Sequence, residues 1–223
     1  MLPAYRTADE TFAIPQFALT RSDIDSFMEE LRGFPIAFRD CFTRQEPRDQ
    51  FFNSMVGQFS PLARKSIEPM ALQVEGGNVR AMQRLVSDAL WDETAMLERY
   101  HRLVHDEMGE PDGVLIVDET GFAKKGQDSV GVARQYCGAL GKVENCQVGG
   151  VAAYASRQGY ALVDKRRFLP EPWFTDAYTA RRTKCKMPDE VAWQSKPQLA
   201  AAMVQEIYRA GILPCKYVVA DCL

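Results

Sequence analysis

The stretch VLIVD, residues 114–118, limits the possible folds of this chain more than any other feature of its sequence. It is a short, uninterrupted apolar run that ends in a carboxylate, which is typical of a strand covered on both faces. Glycine and polar residues then separate three more strand-like segments, at 129–140, 145–156 and 159–169. Because strands in such close succession pair as hairpins, the sequence predicts an antiparallel arrangement that starts from residues 114–118.

A helix and one more strand follow these hairpins. Ser195 and Gln198 form the pattern of a capping box at the start of the helix, and Gly211 marks its end. The run KYVVAD, residues 216–221, then predicts a strand that delivers Asp221 at its end. A strand reached through a helical crossover lies parallel to its neighbour, so the sequence predicts a mixed sheet.

The first half of the chain shows helical patterns. Thr20 and Asn78 are placed to cap two helices, and Ser60–Pro61 predicts one more helix start, with proline at the first helical position. We therefore predict an α+β protein. A helical region is expected over residues 1–110, and an α/β domain with a mixed sheet over 111–223.

The composition and the sequence patterns argue against a membrane-spanning, a secreted or a zinc-binding protein. Hydrophobic residues make up 46% of the chain and charged residues 26%, as in ordinary globular proteins. No apolar run approaches the roughly 20 residues of a membrane-spanning helix, and MLPAYRTADE at residues 1–10 has no secretory pattern. The six cysteines lack paired zinc-ligand spacing, which favours free thiols. We therefore expect a cytoplasmic protein without membrane contact.

Charge is distributed unevenly along the chain. The net formal charge is −3, yet between residues 157 and 196 nine Lys and Arg stand against five Asp and Glu. A local basic stretch of this kind fits a groove that binds a polyanion, although solvated surface charge gives the same pattern. The candidate phosphate contacts, each of which could equally be a solvated cation, are Lys124, Lys125, Arg134, Arg166 and Arg167.

Two carboxylates follow the predicted parallel strands. If residues 114–118 and 217–221 are neighbours in the sheet, Asp118 and Asp221 emerge at the same edge, where open α/β sheets place their sites. Mg²⁺ takes oxygen ligands and retains waters, so one or two carboxylates together with substrate phosphate oxygens can hold it. Two-metal phosphoryl-transfer sites usually need a third acid as well. Taken singly, Asp118 could instead cap the turn after it, and Asp221 could be a frayed terminal residue.

Two further patterns leave alternatives open. His101 and His105 are spaced i, i+4 and could share a zinc ion, but HRLVH lacks the Glu of the metalloprotease pattern. Arg80 and Arg84 lie on the predicted helix after Asn78, which could be the second helix of a helix-turn-helix or of an ordinary helical hairpin. Neither pattern by itself assigns a function.

A resemblance to a known family covers most of the chain. Residues 114–156, VLIVDETGFAKKGQDSVGVARQYCGALGKVENCQVGGVAAYAS, resemble the start of the catalytic domain in bacterial insertion-sequence transposases of the DDE superfamily. PDEVAWQSKPQLA at 188–200 and YVVAD at 217–221 resemble later blocks of that domain, in the same order. RKSIEPMAL followed by VRAMQRLVSDALWDE resembles the group's helical front end, so the helical region over residues 1–110 is expected to contact DNA. The block at 114–156 is highly specific.

The resemblance implies a ribonuclease-H-like fold and metal-dependent DNA cleavage and strand transfer, with Mg²⁺ or Mn²⁺ as cofactor. By position, the family's first catalytic Asp falls on Asp118 and its second on Asp221, both as metal ligands. The third member, a Glu, falls on no residue of the chain, and Cys222 and Leu223 stand where the family has a glycine-containing turn. The resemblance therefore predicts the front portion of a longer enzyme, incomplete after its second metal ligand.

Three hypotheses follow from the resemblance. The first is a transposase that cleaves double-stranded DNA at transposon ends and joins them to a target. The second is a catalytically inactive remnant that binds DNA or a full-length transposase without cutting, and a homo-oligomer is a further expected assembly. The third is a fragment that barely folds, because one side of its sheet is uncovered and an apolar edge is exposed.

Overall fold

The structure, a computed structural model, describes residues 18–221. The chain divides between Asp92 and Glu93 into two compact units. The predicted division into functional domains at residue 110 stays a prediction, and MLPAYRTADE, Cys222 and Leu223 lie outside the described residues. None of the helices within 18–221 is long and apolar enough to cross a membrane.

The first unit consists of helices. They are α1 (Arg21–Gly33), α2 (Gln45–Gln58), α3 (Ile67–Gln73) and α4 (Val79–Ser87), with a 3-10 helix at Phe34–Cys41 after α1. Both predicted caps are present, since Thr20 forms a capping box at α1 and the Asn78 side chain accepts a backbone hydrogen bond at the start of α4. Buried Met70, Ala71 and Met82 pack α3 and α4 together.

The helix predicted to start at Ser60–Pro61 does not form. Residues 59–66 hold no helix, and the next one begins only at Ile67. The hydroxyl of Ser60 donates to the backbone carbonyl of Gly57 at 2.6 Å. The backbone N–H of Ser60 donates to the same carbonyl at 3.2 Å, so Ser60 belongs to the turn that ends α2.

The second unit combines helices with one sheet. Its elements are α5 (Glu93–Met108), β1 (Val114–Ala123), β2 (Ala133–Cys137), β3 (Lys142–Ala155), β4 (Tyr160–Phe168), α6 (Thr179–Lys184), α7 (Lys196–Ala210) and β5 (Tyr217–Ala220). Short 3-10 helices occupy Gly138–Leu140, Glu171–Phe174 and Asp176–Tyr178. The predicted capping box of Ser195 and Gln198 starts α7, and Gly211 ends it with a φ of 63°, the left-handed conformation that glycine adopts most easily.

The strands form one mixed, open sheet in the order β2-β3-β1-β5, with β4 also paired to β3. β1 pairs antiparallel with β3, while β2 and β4 pair antiparallel with the other edge of β3. β5 pairs parallel with β1, as predicted for a strand that arrives through a helical crossover. These pairings confirm the α+β class with its mixed sheet, which accommodates the ribonuclease-H-like fold implied by the resemblance.

Helices α5 and α7 cover one face of this sheet. Leu115 and Val117 of β1 are at most 2% exposed. They pack in one cluster with buried Met203 and Ile207 of α7 and with Val104 of α5. Alternate residues of a strand point to opposite faces, so this cluster accounts for only half of the apolar run in β1.

The opposite face of the sheet is open within the described part of this unit. Ile116 of β1, Leu162 of β4 and Val219 of β5 are 39%, 64% and 51% exposed. The register sets these three residues in one row across the sheet. The prediction that VLIVD is covered on both faces is therefore wrong for the described chain, because its helices α5 and α7 share one face.

Met203→Ala is expected to lower the free energy of unfolding of the second unit by about 2–5 kcal/mol, because it leaves a cavity between α7 and the sheet. Met203 is fully buried, whereas Tyr208 of the same helix is 76% exposed. The control Tyr208→Ala is expected to change stability by less than about 0.5 kcal/mol. Urea unfolding followed by tryptophan fluorescence measures both, and equal losses would contradict this placement of α7.

Candidate functional site

The parallel pairing of β1 and β5 brings Asp118 and Asp221 to the same part of the sheet. The register ends with Val117 beside Ala220, so Asp118 is the next residue of β1 and Asp221 is the residue after β5. Neighbouring strands are about 4.8 Å apart, which places the two positions within reach of one small ligand. Both residues are exposed. The predicted parallel pairing is confirmed, and the metal-binding role of the two acids stays a prediction.

Asp118 does not stand at the end of its strand. We expected the strand to end at residue 118, but β1 continues to Ala123 because β3 offers it antiparallel partners along its whole length. β5 ends earlier, at Ala220, so β1 loses its parallel neighbour at Asp118. The two aspartates therefore lie where β5 ends and β1 continues without a parallel neighbour.

The carboxylate of Asp118 lies on the open face of the sheet. Alternation along β1 puts Leu115 and Val117 on the helix-covered face and Asp118 on the other. Its Oδ1 accepts a hydrogen bond from the backbone N–H of Glu119 at 2.7 Å. This hydrogen bond ties Oδ1 of Asp118 to the backbone of β1. Oδ2 takes no part in it.

The carboxylate oxygens of Asp118 and Asp221 are ligands that suit a hard divalent cation. Carboxylate oxygens are ligands that Mg²⁺ and Mn²⁺ prefer, and water and phosphate oxygens complete the shell where a protein supplies one or two acids. Within residues 18–221, no group of three or more His, Cys, Asp or Glu side chains is arranged to hold a metal ion. Asp118 and Asp221 can therefore supply two ligands, and no third side chain from the described residues joins them.

Glu119 lies on the opposite face, in a small cleft between the sheet and α7. Lys196 Nζ lies 2.5 Å from Glu119 Oε2 and 5.5 Å from the centre of the Phe168 ring. The side chains of Lys196 and Glu119 are only 31% and 26% exposed, so solvent screens this pair less than a surface pair. The ion pair ties the start of α7 to β1 at the residue next to Asp118.

Sequence reasoning did not find the pair of Lys196 and Glu119. Lys196 is the first residue of α7, directly after its N-cap Ser195. A cation in the first turn of a helix opposes the helix dipole. A lysine at this position is therefore the signal that could have pointed to a carboxylate partner, although nothing local identifies which carboxylate.

The five candidate phosphate contacts have different surroundings. Arg166 binds Asp164 at 3.1 Å and also Glu206 of α7, so its guanidinium is engaged on the helix-covered face. Arg167, the next residue, is exposed on the same face as Asp118. The other three are exposed as well, with Lys124 and Lys125 after β1 and Arg134 on β2. Contact of any of the five with DNA stays a prediction.

The histidine pair of α5 has a structural explanation. His101 is buried, and its Nε2 lies 2.7 Å from the backbone carbonyl oxygen of Val163 in β4. This hydrogen bond holds α5 against the sheet. Among the residues that the structure describes, His101 and His105 belong to no group of three or more His, Cys, Asp or Glu side chains that could hold a metal ion.

Comparison with known proteins gives the following matches. A family model described as "DDE superfamily endonuclease" matches residues 37–223. The curated protein "Probable transposase for insertion sequence element IS701" of Microchaete diplosiphon is 30% identical over 157 residues. That alignment takes in 70% of this chain and 38% of the relative, so the chain spans well under half of the relative's length. No solved structure matches the chain.

Lys196→Met is expected to destabilise the second unit by about 1–3 kcal/mol, because it leaves the partly buried carboxylate of Glu119 without its partner. The double variant Lys196→Met/Glu119→Gln is expected to lose less stability than the two single variants added together. Denaturant unfolding of the four proteins measures this coupling energy. The matched control is the exposed i, i+4 pair Glu98–Arg102, with an expected coupling of at most about 0.5 kcal/mol. Additive effects at Lys196 and Glu119 would contradict the ion pair.

Proposed function

The chain belongs to the DDE superfamily endonuclease family, and on this premise we propose that it acts in metal-dependent cleavage and strand transfer of DNA at insertion-element ends. One observation carries the proposal. The parallel register of β1 and β5 ends with Val117 beside Ala220, directly before Asp118 and Asp221, and the resemblance assigns the family's first two catalytic acids to these residues. Carboxylates that share a divalent cation are a general solution for chemistry at a phosphodiester.

Asp118 and Asp221 would hold Mg²⁺ or Mn²⁺ on the open face of the sheet. The bound cation supplies Lewis-acid polarisation of the scissile phosphate and neutralises part of its charge. The part played by the chain is to position the two acids. The N–H of Glu119 holds Oδ1 of Asp118 at 2.7 Å, and the pairing of β5 with β1 keeps the two backbones together. An open face gives a DNA strand direct access to both carboxylates.

Exposed cations would bind the phosphates of double-stranded DNA, both on the face of the acid pair and further along β1. Arg167 lies on the same face as Asp118, while Lys124 and Lys125 follow the same strand. Such contacts position DNA without reading its sequence and make binding sensitive to salt. Arg166 already binds two carboxylates, so we expect it to contribute least. The name of the relative, a probable transposase for an insertion element, supports transposon ends and a DNA target as partners.

A second candidate function is DNA binding without cleavage, by this chain alone, as a homo-oligomer or with a full-length transposase. The number of available metal ligands favours DNA binding without cleavage, because within residues 18–221 no third acid joins Asp118 and Asp221. The resemblance likewise assigns the family's Glu to no residue of the chain. A third carboxylate supplied by another chain would restore the first function.

Asp118→Asn and Asp221→Asn are each expected to weaken Mn²⁺ binding at least about tenfold, because each removes one of two charged oxygen ligands. The electron paramagnetic resonance signal of free Mn²⁺ measures the affinity directly. The matched control is Asp106→Asn, which neutralises an exposed carboxylate on α5 and should leave the affinity unchanged. A nicking assay with supercoiled DNA and Mn²⁺ then follows the activity of the same four proteins.

The outcomes separate the two candidate functions. Equal Mn²⁺ affinity in the wild type and in the two aspartate variants would contradict the metal site. Mn²⁺ binding that depends on both acids, together with nicking that is lost in Asp118→Asn, supports cleavage. Mn²⁺ binding that depends on both acids without any nicking supports DNA binding alone.

A further inference from the structure

The loop between β1 and β2, residues 124–132, is held in place by the segment that follows β4. This segment, residues 171–186, contains two 3-10 helices and α6 and is called the strap. Trp173 of the strap is fully buried and donates from Nε1 to the backbone carbonyl of Val132 at 3.0 Å. Arg182 in turn donates to the carbonyl of Trp173 at 2.7 Å. A buried aromatic residue thus anchors the strap to the base of the loop.

Polar contacts join the strap to the outer part of the loop as well. Lys184 donates to the carboxylate of Asp128 at 2.6 Å, and Arg181 donates to the side chain of Gln127 at 3.1 Å. The ammonium of Lys184 lowers the pKa of Asp128, as a close ion pair should. From the side of β3, the Asn145 amide donates to two backbone carbonyls of the loop, at 2.6 and 3.0 Å. The loop is therefore held from two sides.

The loop and the strap together carry an excess of positive charge. Their carboxylates are Asp128, Glu171 and Asp176, and their cations are Lys124, Lys125, Arg181, Arg182, Lys184 and Lys186. In the described part of the chain, Lys184 is the cation of this set that pairs with a carboxylate. Arg181 lies over the ring of Tyr178 at 4.5 Å, and its charge contributes with that of Lys184 to the lowered pKa of Asp128. Lys125 and Lys186 are exposed.

This basic surface lies at a distance from the acid pair. Lys124 follows Asp118 by six residues, nearly all within β1, a span of about 20 Å at roughly 3.3 Å per residue. Successive phosphates of one DNA strand are about 3.4 Å apart along the helix axis. A duplex that lay along β1 with its scissile phosphate at Asp118 would therefore reach the loop about six base pairs away, roughly half a helical turn on, where the complementary strand supplies the phosphates.

We propose that the loop and the strap form a binding surface for the phosphate backbone of double-stranded DNA outside the cleavage site. The inference rests on the proposed function, because the phosphate backbone is the polyanion that a DNA-cleaving enzyme has to hold. A loop that is already held in place by hydrogen bonds loses less conformational freedom on binding than a mobile loop. Backbone contacts at this distance fix the register of the duplex on the protein without reading its sequence.

The test measures how DNA binding depends on salt. The variants are Lys125→Ala in the loop and Lys186→Asn in the strap, where asparagine suits the φ of 52° at that position. Each lost phosphate contact is expected to flatten the slope of log K against log salt by about 0.9, and the double variant by about 1.8. The probe is a random-sequence duplex, since these contacts are independent of sequence. Arg99→Ala removes one exposed positive charge from α5 and is the matched control.

The outcomes distinguish this inference from the function on which it rests. A wild-type chain that binds the duplex, with slopes in Lys125→Ala and Lys186→Asn no flatter than in Arg99→Ala, would overturn the surface and leave the proposed function standing. A wild-type chain that does not bind the duplex would overturn both. Thermal unfolding of each variant establishes that it is folded.

A further variant tests whether the contacts between the strap and the loop contribute to DNA binding. Asp128→Asn breaks the ion pair with Lys184 and at the same time removes a negative charge from the surface. If charge alone decided the affinity, this variant would bind DNA more tightly than the wild type. We expect weaker binding, because the loop is no longer held by the strap. Tighter binding would overturn the positioning role of the strap.

Discussion

The parallel pairing of β5 with β1 is the contact on which the candidate site depends. Only four residues of β5 take part, and all of them are exposed. The register is set before the strand begins, because Leu213 after α7 is buried in the sheet–helix core and the backbone N–H of Lys216 donates to the carbonyl of Gly113 at 2.8 Å. A slip of one residue would turn Asp221 to the other face of the sheet and separate it from Asp118.

Two neighbouring residues of β1, Asp118 and Glu119, point to opposite faces of the sheet and have different partners there. Asp118 points to the open face, where a cation and a phosphate can reach it, while Glu119 points to the covered face and binds Lys196. The ion pair fixes the start of α7, and α7 carries the chain across the sheet to β5. A contact on the covered face therefore supports the position of Asp118 on β1 and the return of the chain to β5, which leads to Asp221.

Local signals in the sequence were sufficient for most of the fold. The caps at Thr20, Asn78 and Ser195, the turns between the hairpin strands and the helical crossover all act over a few residues, and the structure contains each of them. The continuation of β1 to Ala123, the open face and the partners of Arg166 depend on residues far apart in the sequence. The prediction at Ser60 was wrong because a serine in a turn suits the end of one helix as well as the start of the next, and the structure places Ser60 at the end of α2.

The proposed function depends on the binding of one divalent cation by Asp118 and Asp221 together. Paramagnetic broadening of backbone amide signals in an NMR spectrum of the chain, recorded as Mn²⁺ is added, tests this binding. We expect the amides nearest these two residues, on β1 and at the end of β5, to broaden first and together. Broadening that begins elsewhere in the chain, or at only one of the two aspartates, would show that the two acids do not share a cation.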